Sequence, residues 1–315
     1  MKQLTPKLLI FLLLFQFATM LAQSQPAQSG YYRTMVGQVE VIALSDGTVP
    51  VDAHMLLGNS ADIDSLLKSA YLKPMVETSI NAYLINNGTR HILVDAGAGE
   101  LFGGKYGGLL VQSLRQVGYQ PEQITDILIT HVHLDHTGGL VMDNKLVFPN
   151  ATIHVDKHDI DFWMQHLQAK ADDTRGIHAN RPAFMTLKTY LDAGKVSPFT
   201  GPTQLFEGIS TIETPGHTAG HTLFVLESKG EKMVFWGDLV HIAEVQLTLP
   251  DNPDEYDFDK DKAARQRVSL YREAAVQQYL VAADHISFPG IGRLRPQGNS
   301  YQWVPLHYSI PPIIR

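Results

Sequence analysis

From 36 to 44 apolar and polar residues alternate in a strand pattern, and apolar runs at 80–85 and 92–94 read as two further strands. Asp46 and Gly47 would end the first of these, and Asn86-Asn87-Gly88 would turn the second into the third as a hairpin. A helical period predicts helices over 61–72, 107–117, 157–167 and 182–191; in the third, Ile160, Trp163, Met164 and Leu167 share a face. Short apolar runs at 124–129, 152–155, 209–213, 222–227, 232–236 and 280–283 read as further strands. A long amphipathic helix fits 260–279, and Gly298-Asn299 marks a last hairpin. Strands and helices alternate in two comparable halves with no Pro/Gly-rich linker between them, which predicts one α/β domain of layered sheets.

The N-terminus departs from this pattern. Lys2 and Lys7 precede an apolar run at 8–15, and small residues follow to Ala22, the layout of a secretory signal. That run is far shorter than the roughly 20 residues that span a bilayer. The expectation is export to the periplasm or medium with residues 1–22 removed and no stable membrane anchor afterwards. Residues 23–35 read as a tether before a single folded domain over 36–315. Hydrophobic residues at 44% and charged residues at 18% fit a globular chain and exclude disorder. Lys and Arg number 25 against 32 Asp and Glu, and with no basic tract this argues against a nucleic-acid partner. The absence of cysteine removes thiolate nucleophiles, Cys-ligated zinc and iron–sulfur sites. Any metal must be held by the 14 histidines and the carboxylates.

The densest chemistry is His131-Val-His133-Leu-Asp135-His136, directly after the apolar strand at 124–129. Alternation places His131 and His133 on one side of the chain end, while the turn at Gly138 and Gly139 brings Asp135 and His136 to a neighbouring point. Four such side chains in six residues could hold two cations a few ångströms apart. Burying them with neither metal nor partners would be costly. His217, in the glycine turn Thr214 to His221, would complete a three-histidine site with an open position for water. His221 reads as a hydrogen-bonding residue behind the ligands. Asp238 follows a strand where a carboxylate could bridge both cations, and His285, after the strand at 280–283, would serve the second. Each group lies at the end of an apolar strand, so all can converge on one edge of the sheets.

The segments HVHLDH, TPGHTAGH, WGD and the late Asp284-His285 together resemble the metallo-β-lactamase superfamily of metallohydrolases. The resemblance covers essentially the whole mature chain. It implies a four-layered αββα sandwich with the site at the sheet edges. It also implies that Asp95, within Leu93-Val-Asp-Ala-Gly97, orients a loop and the ligands without binding metal. Stretches such as Gly97 to Gly104, Gly118 to Ile124, Asp161 to Trp163, Asp238 to His241 and His285 to Gly292 look like the methyl parathion hydrolase branch. That branch is similar to certain N-acyl-homoserine lactonases and aryl-lactone hydrolases. In it, aromatic residues at the positions of Phe102 and Trp163 line the leaving-group pocket; ordinary core packing is the alternative for each.

The expected function is hydrolysis by a hydroxide bridging two divalent ions, most simply Zn2+, with Asp135 and Asp238 fixing the geometry. Expected substrates are small-molecule lactones or aryl esters, with phosphotriester hydrolysis as a related activity. A β-lactam or thioester hydrolase on the same fold is the alternative. No residue is singled out as a dedicated general acid. Asp257, Asp259 and Asp261 are expected to cap the following helix. Met55, Leu56 and Leu57 could pack a partner subunit in a homodimer or shape the pocket. His154, His158, His166, His178 and His307 are taken as ordinary hydrogen-bonding or surface residues.

Overall fold

The computed structural model describes residues 28–168 and 177–309. The expected signal at 1–22 and the start of the tether lie outside the described residues, as does the side chain of His178. One sheet contains β1 (Tyr31–Val36), β2 (Val39–Asp52), β3 (Met75–Asn86), β4 (His91–Val94) and β5 (Asp126–Leu128). After a small separate hairpin, β6 (Val141–Met142) with β7 (Lys145–Leu146), the same sheet gains β8 (Thr152–Asp156) and β9 (Val196–Phe199), in the order β1-β2-β3-β4-β5-β8-β9. The second sheet runs in chain order through β10 (Gln204–Phe206), β11 (Ile209–Glu213), β12 (Thr222–Ser228), β13 (Glu231–Phe235), β14 (Leu280–Ala282), β15 (Ile291–Gln297) and β16 (Ser300–Pro305).

Alternation along the strands builds the layers. Val41 and Ala43 of β2, with Tyr83 and Ile85 of β3, face Phe224, Phe235 and Ile291 of the other sheet, forming the central core. Their neighbours Ile42, Leu44 and Leu84 point the other way, under Leu114, Ile160, Phe184 and Leu187 from helices Leu110–Gln116, Lys157–His166 and Ile177–Asp192. On the far side, Leu223, Val225 and Val234 meet Leu270, Tyr271 and Ala274 of helix Lys260–Gln277. The result is one α/β domain of layered sheets, in the αββα order that the family resemblance implied.

Several boundaries move: the helix expected at 182–191 is Ile177–Asp192, that expected at 107–117 is Leu110–Gln116, and the first sheet departs in two places. The tether reading of 23–35 overruns the fold, because β1 starts at Tyr31 and pairs antiparallel with β2 from Tyr31 opposite Leu44 to Val36 opposite Val39. The pattern at 36–44 is therefore a hairpin turning at Gly37, whose φ of +57° favours glycine. Nor does Asp46-Gly47 end a strand: β2 shifts register between Ser45 and Gly47 and continues to Asp52. At this irregularity the Asp46 carboxylate accepts from the backbone N–H groups of Ala98, Gly108 and Leu110, tying down the loop after β4.

β4, β5 and β8 run parallel in one sheet, as do β13 and β14 in the other. Parallel strands present their C-terminal ends on one edge, where open α/β sheets gather their sites.

Candidate metal centre

The strand ends deliver their side chains to one buried point. His131 Nε2 and His217 Nε2 each lie 3.1 Å from His133 Nδ1. Asp238 joins them, its Oδ2 lying 3.4 Å from His131 Nε2 and 3.2 Å from His217 Nε2. The other oxygen, Oδ1, is 3.0 Å from both His136 Nε2 and His285 Nε2. Asp135 completes that side, 3.7 Å from His136 Nε2 and 3.6 Å from His285 Nε2. The donor atoms of His131, His133, His217 and Asp238 form one compact group, and those of Asp135, His136 and His285 another.

Hydrogen bonds behind the rings set which nitrogen faces the centre. His136 Nδ1 meets Asp95 Oδ2 at 2.9 Å, His217 Nδ1 meets Asp257 Oδ1 at 3.0 Å, and His285 Nδ1 meets the Ser79 carbonyl at 2.8 Å. These oxygens only accept, so the neutral rings carry their proton on Nδ1 and turn an Nε2 lone pair inward. His136 Nε2 and Asp238 Oδ1 are buried and have no hydrogen-bond partner. Buried polar atoms left in that state are costly, and the donor set is one that zinc accepts. The residues therefore fit a pair of divalent cations.

Electrostatics divide the rings. Burial and neighbouring imidazoles push His131 and His133 well below the usual histidine range. Burial also opposes charge on His217, yet Asp238 and Asp257 outweigh it and hold that ring at about 9. Burial disfavours the Asp238 carboxylate, but His136 and His285 keep it well below the ordinary range.

Asp95, at φ +57°, accepts from the Thr130 N–H and hydroxyl at 2.9 and 2.7 Å and so clamps the start of the His131 loop. Gly138 and Gly139 let that loop close on the Asp95 turn: a Cβ there would lie 2.1 Å from the Ala98 carbonyl and 2.0 Å from that of Ala96. His221 stands behind the centre, its Nε2 accepting from the Asp238 N–H and its Nδ1 2.7 Å from Thr214 Oγ1. Burial and His217 drive it down to about 3.

A cavity of about 610 Å3 opens over the centre, with His133, Asp135, His217, Asp238 and His285 at its base. Phe102 and Trp163 both line it, joined by Phe162, Tyr256 and Phe258. Trp163 is also a core residue, 3% exposed and stacked against Phe184. Leu56 and Leu57 are buried with Ile63, Ile242 and Val245, away from the cavity lining; only Met55 of that trio is exposed.

Several functional positions escaped sequence reasoning. His241 lines the cavity, its Nε2 3.1 Å from Asp238 Oδ2 and its Nδ1 2.9 Å from Asp254 Oδ2. Its sequence signal was the stretch Asp238 to His241, which resembles the methyl parathion hydrolase branch but gave the histidine no role. Asp257 does not cap the helix: Asp259 does, accepting from the Lys262 N–H, while Asp257 holds His217. Asp159 pins both histidine loops, accepting from the N–H groups of Val132 and Gly220. Asp284, buried 3.3 Å from His136 Nδ1, is pushed well up by burial and by Asp95. Away from the centre, Asp156, His158 and Glu213 form a further cluster beside a small cavity, but Lys262 lines the same space.

Parallel strand ends placing histidines and carboxylates at one edge of two sheets define a metallohydrolase scaffold. Residues 75–275 match the model of the metallo-beta-lactamase superfamily, and the chain belongs to that family. The chain spans about two fifths of the length of the first curated relatives it matches. Among solved structures, the hydrolase AbOPH of the β-lactamase superfamily is 34% identical, with a TM-score of 0.84 over 90% of this chain and 100% of its own. AidC, a dizinc quorum-quenching lactonase, is 27% identical, with a TM-score of 0.80 over 90% of this chain and 99% of its own. A curated relative, the atrochrysone carboxyl ACP thioesterase of Passalora fulva, is 27% identical over 51% of this chain; that match spans only 38% of the relative. An N-acyl homoserine lactonase from a Bacillus species is 22% identical over 49% of this chain and 61% of its own length. No helix among the described residues is long and apolar enough to cross a membrane.

Proposed function

We propose that this chain is a metal-dependent hydrolase that opens lactones or cleaves aryl esters with two divalent ions, most simply zinc, and acts on phosphotriesters as a related activity. His131, His133 and His217 would hold one cation, Asp135, His136 and His285 the other, with Asp238 shared. The observation that carries this reading is the division of Asp238, Oδ2 toward His131 and His217 and Oδ1 toward His136 and His285. When bound, such a pair supplies Lewis acidity and a hydroxide nucleophile at neutral pH.

The chain's own residues do the rest. Asp238 would offset the charge of both cations. The Asp135 side chain is 16% exposed against 4% for Asp238, so Asp135 is the more open of the two carboxylates at the cavity base. Phe102, Phe162 and Phe258 supply an apolar wall that takes up the uncharged part of a substrate and excludes water. Lys260, the basic residue of the lining, is paired with Glu255 at 2.5 Å. A neutral substrate suits this pocket better than a carboxylate-bearing β-lactam, which would compete for that lysine. The signal-like N-terminus supports export to the periplasm or medium as part of the same proposal.

The test is a hydrolysis panel on zinc-loaded protein: short and long acyl-homoserine lactones, an aryl lactone, a phenyl ester, methyl paraoxon, a cephalosporin and a glutathione thioester. Lactones or the aryl ester should lead. A clear preference for the cephalosporin or the thioester would overturn the reading in favour of the alternative.

A further inference from the structure

Arg267 is 1% exposed, although it lies on helix Lys260–Gln277 among cations that reach solvent. A buried guanidinium is tolerated when its donors are engaged, and these are engaged in three directions. Nε donates to the Leu239 carbonyl at 3.0 Å, Nη1 to the carbonyls of Pro250 at 3.4 Å and Asn252 at 3.2 Å, and Nη2 to Asp257 Oδ2 at 2.9 Å. Leu239 is the residue after Asp238. Pro250 and Asn252 begin the strap that carries Asp254 and Asp257, and Asp257 presents its other oxygen to His217 Nδ1.

One fork thus joins the turn bearing the shared carboxylate to the acid that orients a histidine of the three-histidine group. We propose that Arg267 is a positioning residue for that half of the centre, setting the direction of His217 through Asp257 and the placement of Asp238 through the Leu239 carbonyl. The inference rests on the reading that His131, His133 and His217 hold a cation. Lysine would not substitute, because a compact ammonium lacks the planar fork that spans Leu239 and Asp257 together.

The test uses the full chain as Arg267→Lys, Asp257→Asn and the double variant, with Zn2+ affinity read by chelator competition and Co2+ absorption as a geometric probe. In Arg267→Lys, one of the two zinc ions should bind about 10- to 100-fold more weakly, the range for groups that orient metal ligands. The other, reached only through the shared Asp238, should weaken less, and the Co2+ spectrum of the more weakened site should shift. Asp257→Asn, which keeps the side chain's shape, should do the same and decides the matter if Arg267→Lys fails to fold. Because both act on His217 through Asp257, the losses in the double variant should fall short of the sum of the single ones. Unaltered affinity at both sites in Asp257→Asn, or losses that simply add, would overturn the proposal. A wild-type chain that binds no zinc would overturn it together with the metal reading. Zinc binding with no lactone or ester hydrolysis would sink the substrate assignment and leave this inference intact.

Discussion

The backbone N–H of Asp238 donates to His221 Nε2 at 3.1 Å. That bond engages the lone pair His221 could otherwise offer a cation, so a histidine within the ring cluster serves to hold the Asp238 turn in place.

His221→Ala should therefore keep two zinc ions per chain while losing stability. It leaves a buried N–H unsatisfied, a cost of about 1–3 kcal/mol. Elemental analysis and thermal melts of the same sample check both halves, and a fall to one ion per chain would make His221 a ligand.

Asp238→Asn keeps the shape of the side chain and removes the charge offered to both groups. Hydrolysis should drop by at least about two orders of magnitude, in line with the several kcal/mol that metal Lewis acidity supplies. Near-normal turnover would reduce Asp238 to a turn residue.

The ligand-type residues were legible because each follows an apolar strand closely in sequence, as His131 follows β5 and Asp238 follows β13. The layers were legible because Val41 and Ile42 alternate between two cores. What stayed hidden depends on contacts distant in sequence. Asp257 reaches His217 across 40 residues from a strap with no period to betray it. β1 was hidden because Tyr31–Val36 shows its pairing only against β2. Trp163 was ambiguous for a physical reason: one ring serves the core and the cavity wall together.

Zinc binding should be proton-coupled. In the metal-free protein His217 is held at about 9, above its ordinary 6.5, so near neutral pH an incoming cation must displace its proton. Affinity should rise as pH climbs toward 9, about tenfold per unit for each proton released. The sign for folding is opposite. A raised histidine stabilises the metal-free fold fully below about 6.5, and that contribution fades as pH rises through about 9. His131, His133 and His221, all pushed down, are neutral across that window and do not offset it. The gain in melting temperature on adding zinc should therefore grow between pH 7 and 9. Calorimetry in buffers of different ionisation enthalpy would count the protons, and a pH-independent affinity would contradict the assignment.

Phe102 and Trp163, both in the cavity lining, should separate on mutation. Trp163 is buried, stacked on Phe184 at 6.2 Å and set edge-on to Phe162 at 5.5 Å. Its truncation to Ala should cost about 3–5 kcal/mol of stability, the usual penalty for deleting a core aromatic. Phe102 is half-buried in the turn-rich segment after β4 and lines the cavity. Phe102→Ala should leave melting temperature and metal content nearly unchanged. Losing an aromatic contact with a substrate is worth about 0.5–1.5 kcal/mol beyond area. The ratio of aryl to alkyl leaving-group turnover should then fall roughly 3- to 10-fold. Measuring melting temperature, zinc content and that ratio on both variants tests the division. An unchanged ratio in Phe102→Ala alongside a large stability loss would place Phe102 in the core with Trp163.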